Sequence, residues 1–264
     1  MSNGILSGKK GIIFGALDDR SIAWRVAEEA KSEGAEFILT NAPVALRMGA
    51  VEELAEQTGS DLIPADVTNM EDLEALFSSA KEKFGGVDFV LHSVGMSPNV
   101  RKGREYTDLN YDFLHKTLDI SGMSFHRVLQ TAKKLDAIHE WGSVVALTYI
   151  AAQRTFPGYN DMAEAKALLE SIARSFGYWY GYEKKVRVNT ISQSPTMTTA
   201  GSGVSGFDDF FNTAAERSPL GNATAEECAK YCISLFSDYT RMVTMQNLFH
   251  AGGFSNVGAG INGQ

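Results

Sequence analysis

Short apolar runs alternate with longer amphipathic stretches along the whole chain. The apolar runs predict seven strands, at residues 11–14, 36–39, 61–64, 87–91, 143–147, 186–191 and 246–249. Between them, apolar positions recur at helical spacing over residues 22–33, 50–57, 70–84, 109–135 and 159–180. This alternation predicts an α/β fold of the Rossmann type, in which a doubly wound parallel sheet of about seven strands carries helices on both faces.

No proline-rich or serine-rich linker, charge block or internal repeat divides the 264 residues. We therefore expect one domain over residues 1–264, a length that single α/β domains routinely reach. The segment 196–217 contains three glycines and three phenylalanines, which predict a lid with hinge-capable residues and apolar covering side chains.

Composition and charge narrow the class of protein. Hydrophobic residues make up 44% of the chain, which is enough for a large core. The net charge of −8 argues against a general nucleic-acid binder, because such a protein needs a basic face. We see neither a membrane span nor a secretory signal, and so expect a cytoplasmic protein. Cys228 and Cys232 lack further ligands at zinc spacing, so we expect them to pack as apolar residues.

The residues after each strand are the candidates for a binding site, because ligands of open parallel sheets bind outside the carboxyl ends of the strands. After the first strand, Gly15 permits a tight turn, and we expect Ser21 to cap a helix that begins at Ile22 and whose amides would attract a pyrophosphate. Two glycines of the G-x-G-x-x-G motif are absent, so this loop alone is weak evidence. After the third strand, Asp66 and Val67 predict either an acceptor for an adenine amino group or a helix cap.

Two further loops carry candidate coenzyme contacts. After the second strand, Asn41 has an amide suited to a ribose 2′-hydroxyl, and the first basic residue beyond it is Arg47. After the fourth strand, Ser93 and Gly95 offer small side chains where a ligand would pass close to the backbone. The loop after the second strand therefore favours a coenzyme without a 2′-phosphate.

The chemistry is expected after the fifth strand, at Tyr149, Tyr159 and Lys166. Seven residues are about two helical turns, so Tyr159 and Lys166 would share a helix face about 10 Å apart along the axis. A ligand would bridge this gap, with the phenol donating to a carbonyl and the ammonium holding ribose hydroxyls. Taken alone, the pair is more often a helix with a buried tyrosine and a solvated lysine than a catalytic pair.

Together these residues resemble the short-chain dehydrogenase/reductase superfamily and, within it, the bacterial NADH-dependent enoyl-acyl-carrier-protein reductases. The most specific feature is Tyr149-x9-Tyr159-x6-Lys166, because Ala163 stands where ordinary members have the lysine of Y-x3-K. The other similar motifs are the G-x5-S-I-A loop from Gly15, Asp66-Val67, His92-Ser93-Val94-Gly95, Asp119-Ile120-Ser121, Arg187-Val188-Asn189, Ser194-Pro195 and Gly252-Gly253-Phe254. Two positions depart from the family pattern: Ser194 replaces a glycine and Ala251 an acid.

The resemblance implies that the chain reduces a trans-2-enoyl thioester on acyl carrier protein during fatty-acid elongation, with NADH as hydride donor. It implies Tyr159 as the enolate donor, Lys166 as the ribose ligand and Tyr149 as part of the acyl pocket. The implied coenzyme contacts are Gly15, Ser21, Ile22, Asn41, Asp66, Val67, Ser93, Gly95, Lys166, Pro195, Thr196 and Thr198. The implied substrate contacts are Met96, Tyr149, Tyr159, Met162 and Phe207, although core packing is the alternative for Met162 and Phe207.

The resemblance also implies a homotetramer, without a nucleic-acid or membrane partner and without a metal. Two other functions remain open. One is a different short-chain reductase, which the absence of Y-x3-K disfavours. The other is a non-catalytic NAD-binding regulator, which the presence of both Tyr159 and Lys166 disfavours.

Overall fold

A parallel sheet forms the centre of the computed structural model, which describes residues 4–199, 201 and 207–258. Its strands are β1 (Lys10–Phe14), β2 (Glu36–Thr40), β3 (Asp61–Leu62), β4 (Val87–His92), β5 (Ile138–Thr148), β6 (Arg187–Gln193) and β7 (Asn247–His250). They pair in parallel in the order β3-β2-β1-β4-β5-β6-β7. The order reverses at β1, so the loops after β1 and β4 border the crevice where such sheets bind ligands.

Helices cover both faces of this sheet. They are α1 (Ile22–Ser32), α2 (Pro43–Leu46), α3 (Val51–Thr58), α4 (Met70–Phe84), α5 (Pro98–Arg101), α6 (Tyr111–Leu118), α7 (Ser124–Lys134), α8 (Asp161–Lys184), α9 (Phe207–Arg217) and α10 (Ala225–Phe236). The helices α4, α7 and α8 pack on one face, and α1, α3 and α10 pack on the other. The doubly wound sheet predicted from the sequence is confirmed.

The strand alternation supplies one core for each face. In β1, Ile12 and Phe14 belong to the core beneath α4, α7 and α8, whereas Ile13 belongs to the core beneath α1 and α10. Cys228 and Cys232 are fully buried in that second core, which confirms that they pack as apolar residues.

Proline shortens one predicted strand. The run 61–64 forms a ladder only at Asp61–Leu62, although the amides of Ile63 and Ala65 still donate to main-chain carbonyls of β2 and its end. Pro64, between them, has no N–H to donate.

The prediction of helix 70–84 is confirmed at both ends. Asn69 accepts a hydrogen bond from the Glu71 amide at the start, and Gly85, with a left-handed backbone, follows the end.

The predicted helix over 109–135 is confirmed as a helical stretch over residues 111–134, but a π-helical turn at Asp119–Met123 divides it into α6 and α7. Such turns accommodate an extra residue and often lie at functional sites. Here the turn directs Ser121 Oγ to the main chain of Met96, where it accepts from the amide at 2.8 Å and bonds the carbonyl at 3.0 Å. The turn therefore fixes the loop after β4.

The predicted helix over 159–180 also differs, since α8 begins at Asp161 and extends to Lys184. Asn160 precedes it with a φ of +44°, a left-handed backbone that a helix cannot continue through. Tyr159 therefore lies in the turn before the helix and does not share a helix face with Lys166. No helix in the described part of the chain is long and apolar enough to cross a membrane.

Candidate functional site

A cavity of about 890 Å³ opens at the carboxyl ends of the strands. Every residue proposed above for coenzyme, catalysis or substrate lies on its wall: Gly15, Ser21, Ile22, Asn41, Asp66, Val67, Ser93, Gly95, Met96, Tyr149, Tyr159, Met162, Lys166, Pro195, Thr196, Thr198 and Phe207. Residues far apart in the sequence thus meet around one space, as the crossover topology requires.

The turn after β1 is shaped by a close approach of two main-chain segments. Gly15 has a φ of +97°, and a Cβ placed on it would lie 2.0 Å from the carbonyl oxygen of Ser93. The prediction that the Ser21 side chain caps α1 was wrong. Its hydroxyl instead accepts from the Leu17 amide at 3.2 Å and donates to the Asp18 carbonyl at 2.7 Å, which closes the loop. Within the described residues no side-chain hydrogen bond caps the start of α1, so its positive end is left open at the cavity wall, where Ser21 and Ile22 lie.

The loops after β2 and β3 are held by their own side chains. Asn41 donates to the Ala16 carbonyl at 2.9 Å and accepts from the Ala42 amide at 2.8 Å, so its amide ties β2 to the Gly15 turn. Asp66 accepts from the amide and hydroxyl of Thr68, whereas α4 is capped by Asn69. The helix-cap interpretation of Asp66 was therefore wrong, and its carboxylate closes an Asx turn on the cavity wall.

The Lys166 ammonium is buried at the ends of two central strands. Its Nζ donates to the Leu147 carbonyl at 2.9 Å and approaches the Val94 carbonyl at 3.5 Å. Only 8% of the surface of Lys166 is exposed to solvent. Burial lowers the pKa of Lys166 to about 8, and the charge of Glu170 partly opposes this shift.

Two tyrosine rings pack against each other on the wall of the cavity that Lys166 also lines. The rings of Tyr149 and Tyr159 lie 5.0 Å apart between centroids, and Phe156 packs 5.3 Å from the Tyr149 ring. Burial raises the pKa of both tyrosines above the ordinary value, so both remain neutral hydrogen-bond donors over the physiological range. The Tyr149 hydroxyl is buried without a hydrogen-bond partner among the described residues.

Two buried acids of α8 were missed by the sequence analysis. Asp161 accepts hydrogen bonds from Ser97 Oγ at 2.6 Å, Asn99 Nδ2 at 2.7 Å and Thr117 Oγ1 at 3.0 Å. Glu170, one turn after Lys166, is also bonded by neutral side chains. An acid at a helix start or four residues from a lysine is usually a solvated surface group, so the pattern gave no warning of their burial.

The loop after β6 shows what Ser194 does in place of the usual glycine. Its hydroxyl accepts from the Ala223 amide at 2.9 Å, so it joins this loop to the segment that leads into α10. Thr196 Oγ1 donates to the Ser194 carbonyl at 3.0 Å and accepts from Gln193 Nε2 at 3.1 Å. The substitution therefore adds a tether to the cavity wall.

Part of the proposed lid is described. Helix α9 brings Phe207 and Phe210 to the cavity wall, and Phe210 packs 6.0 Å from Phe156 between ring centroids. Gly201 is also on the wall, whereas Gly203 and Gly206 lie outside the described residues.

Comparison with known proteins gives concordant results. The chain matches the family described as Enoyl-(Acyl carrier protein) reductase over residues 15–255. It is 36% identical over 262 residues to the enoyl-acyl-carrier-protein reductase (NADH) FabI of Rickettsia prowazekii (strain Madrid E), covering 98% of each chain. It is 34% identical over 253 residues to the protein of that name in Bacillus subtilis (strain 168), covering 94% of this chain and 96% of that one. It superposes on the FabI–NADH complex of Alistipes finegoldii with a TM-score of 0.96 at 64% identity, covering 97% of this chain and 91% of that one.

Gly15 and Gly95, both on the cavity wall, should respond differently to alanine. Gly15→Ala should lower the free energy of unfolding by about 1 to 3 kcal/mol, because an alanine there has an unfavourable φ and clashes with main chain. Gly95→Ala is the matched control, since its nearest neighbour would be Lys166 Nζ at an ordinary 3.6 Å. Urea unfolding of both variants measures the difference, and equal losses would contradict the close approach at Gly15.

Proposed function

The chain belongs to the enoyl-(acyl carrier protein) reductase family, and we propose that Tyr159 and Lys166 carry out its NADH-dependent reduction of trans-2-enoyl thioesters. The product is the saturated acyl thioester of fatty-acid elongation. The observation that carries the assignment of residues is the position of a buried ammonium and two neutral phenols on one cavity wall, at the switch of strand order. The similarity to NADH-dependent reductases over nearly the full length favours this enzyme over a non-catalytic regulator.

The residues present fit a dinucleotide. Gly15 lets the turn after β1 pass directly against the Ser93 carbonyl, and the start of α1 beyond this turn has no side-chain cap among the described residues, so the pyrophosphate would bind there. Asp66 and Val67 would hold the adenine, and Asn41, Ser93 and Gly95 would line the ribose path. Pro195, Thr196 and Thr198 would contact the nicotinamide end. When bound, NADH supplies the hydride that is added to the β-carbon of the thioester.

The remaining chemistry belongs to this chain's side chains. Negative charge builds on the thioester oxygen during reduction, and Tyr159 is a neutral phenol that would donate a hydrogen bond to it. Lys166 would hold the ribose hydroxyls and keep a positive charge beside the developing enolate. Because Lys166 is buried and Tyr159 is partly buried, their interaction with the enolate is screened less than it would be in water.

The acyl chain would be bound by the apolar part of the cavity. Met96, Met162, Tyr149 and Phe207 line it, and the unpartnered Tyr149 hydroxyl would orient the carbonyl end of the substrate. We propose that segment 196–217 acts as a lid over this region, with α9 as its covering helix.

The partner and the cellular setting follow from the same family membership. Acyl carrier protein would deliver the substrate, since the relatives' names specify acyl-carrier-protein thioesters. We propose a cytoplasmic homotetramer that acts in one domain over residues 1–264 without binding nucleic acid or membrane.

The activity is tested by following NADH absorbance with a crotonyl thioester. The proposed function predicts consumption of NADH in proportion to the thioester, since the double bond accepts the hydride. A chain that binds NADH but leaves both compounds unchanged would be a regulator.

Tyr159→Phe should lower kcat on the order of 10²-fold or more while NADH affinity changes little, because it removes an oxyanion donor. Lys166→Ala should weaken NADH binding itself, because it removes the ribose ligand. Tyr239→Phe, at an exposed tyrosine, is the control for the first change. Kinetics and NADH titration separate the two roles, and equal loss of NADH affinity with intact turnover would contradict them.

The chain should prefer NADH over NADPH in kcat/KM. The Arg47 side chain is exposed after α2, and Arg47 lines a separate pocket with Glu52, so no cation from the 41–47 loop lines the main cavity within the described residues. A buried 2′-phosphate without a countercharge is unfavourable. Ala42→Arg should shift the ratio towards NADPH, and Arg47→Ala should leave it unchanged. A wild-type preference for NADPH would show that this loop has been misinterpreted.

A further inference from the structure

Glu170 is a buried carboxylate that no step above uses. It lies on α8 one helical turn after Lys166, and only 4% of the residue is exposed. Its Oε1 accepts from Thr148 Oγ1 at 2.9 Å and from Asn247 Nδ2 at 3.1 Å. Its Oε2 accepts from Gln153 Nε2 at 3.0 Å. All three donors are neutral, so Glu170 has no ion-pair partner among these bonds.

Two of these donors are at either end of the segment that carries Tyr149. Thr148 is the last residue of β5, and Gln153 follows the short 3-10 turn Ile150–Ala152. One carboxylate therefore fastens both ends of this segment to α8. The third donor, Asn247, begins β7 and itself accepts from Thr190 Oγ1 at 3.0 Å, which joins the arrangement to the sheet.

The same carboxylate acts on Lys166 through space. The ammonium donates to main-chain carbonyls, and Glu170 is bonded by neutral donors, so the two charges share no donor or acceptor. The other titratable groups around Lys166 are neutral: Tyr149 and Tyr159 are protonated phenols, and burial lowers the pKa of His92 to about 3. His92, at the end of β4, bonds Ser124 Oγ at 2.9 Å and adds no charge at neutral pH.

We propose that Glu170 is a positioning residue for both sides of the reaction centre: it holds the Tyr149 segment in place and keeps Lys166 in its charged form. The proposal rests on the function proposed above, because it assigns Lys166 and Tyr149 the roles given there. A carboxylate that only held α8 against β7 by hydrogen bonds would also be buried. The experiment must therefore distinguish the effect of the Glu170 charge on Lys166 from the effect of the Glu170 hydrogen bonds on the fold.

The prediction concerns the pH dependence of NADH binding and of kcat/KM for the thioester. Burial already lowers the pKa of Lys166 to about 8, and the negative charge of Glu170 raises it. Without that charge the pKa falls further, so the ammonium is lost at a lower pH. Glu170→Gln keeps the shape of the side chain and should move the alkaline limb down by on the order of one pH unit. NADH affinity should then fall about fivefold at pH 8 and hardly at pH 6.

Thr148→Val is the matched control, because it removes one hydrogen bond from the carboxylate and leaves the charge. It should raise KM for the crotonyl thioester by loosening the Tyr149 segment, while the pH dependence of NADH binding stays that of the wild type. Fluorescence titration of the full chain with NADH at pH 6, 7 and 8 measures affinity independently of turnover.

The outcomes are distinct. A wild-type chain that neither binds NADH nor reduces the thioester contradicts the proposed function. An active wild type with a Glu170→Gln variant that loses affinity by the same factor at pH 6 and pH 8 overturns the present proposal. If Glu170→Gln does not fold, Glu170→Asp takes its place, because it keeps the negative charge. A wild-type pH dependence of NADH binding in Glu170→Asp then supports the proposal, and an alkaline limb shifted down by one pH unit contradicts it.

Discussion

The close approach of the chain after β1 to the chain after β4 is the constraint on which the site depends. The strand order reverses between these two strands, and at their ends Gly15 lies against the Ser93 carbonyl with no room for a side chain. This contact brings the positive end of α1 beside the loop that contains Gly95. That loop is held in turn by the Ser121 hydroxyl of the π-helical turn. The position of the loop after β4, and with it the shape of the cavity and of the proposed pyrophosphate site, thus depends on a backbone contact that only glycine allows.

Helix α8 carries three buried ionisable groups, of which Lys166 lines the cavity, and each group is hydrogen-bonded in its own surroundings. Lys166 donates to main-chain carbonyls, whereas Asp161 and Glu170 accept from neutral side chains of several elements. Burying a charge is unfavourable unless hydrogen bonds replace its water. The free-energy cost of burying these charges is offset by their hydrogen bonds. The same hydrogen bonds join the sheet to the surrounding loops. The hydrogen bonds that keep these charges stable inside the protein therefore also hold the loops around the cavity in place.

The sequence predicted the sheet and the positions of the site residues because both depend on simple periodicity and on the ends of strands. Helix 70–84 could be placed exactly, since Asn69 and Gly85 are ordinary start and stop signals. The hydrogen-bond partners of Ser21 and Asp66 could not be predicted, because a short polar side chain near a helix start has several backbone groups within reach. The π-helical turn also escaped prediction, since the tertiary contact that Ser121 makes with Met96 from this turn leaves no mark on the local pattern of apolar residues.

The start of α8 explains why the six-residue spacer between Tyr159 and Lys166 is compatible with a joint role. Two residues on one continuous helix would be held at a fixed axial separation, but Tyr159 precedes the helix and its direction is set by the turn. The left-handed Asn160 redirects the chain there, and its side chain donates to the Arg104 carbonyl. Asp161 then fastens the first helical residue to Ser97, Asn99 and Thr117. The Tyr159 ring can thus face Tyr149 while Lys166 reaches the strand ends, so the spacing works because the helix begins after the tyrosine.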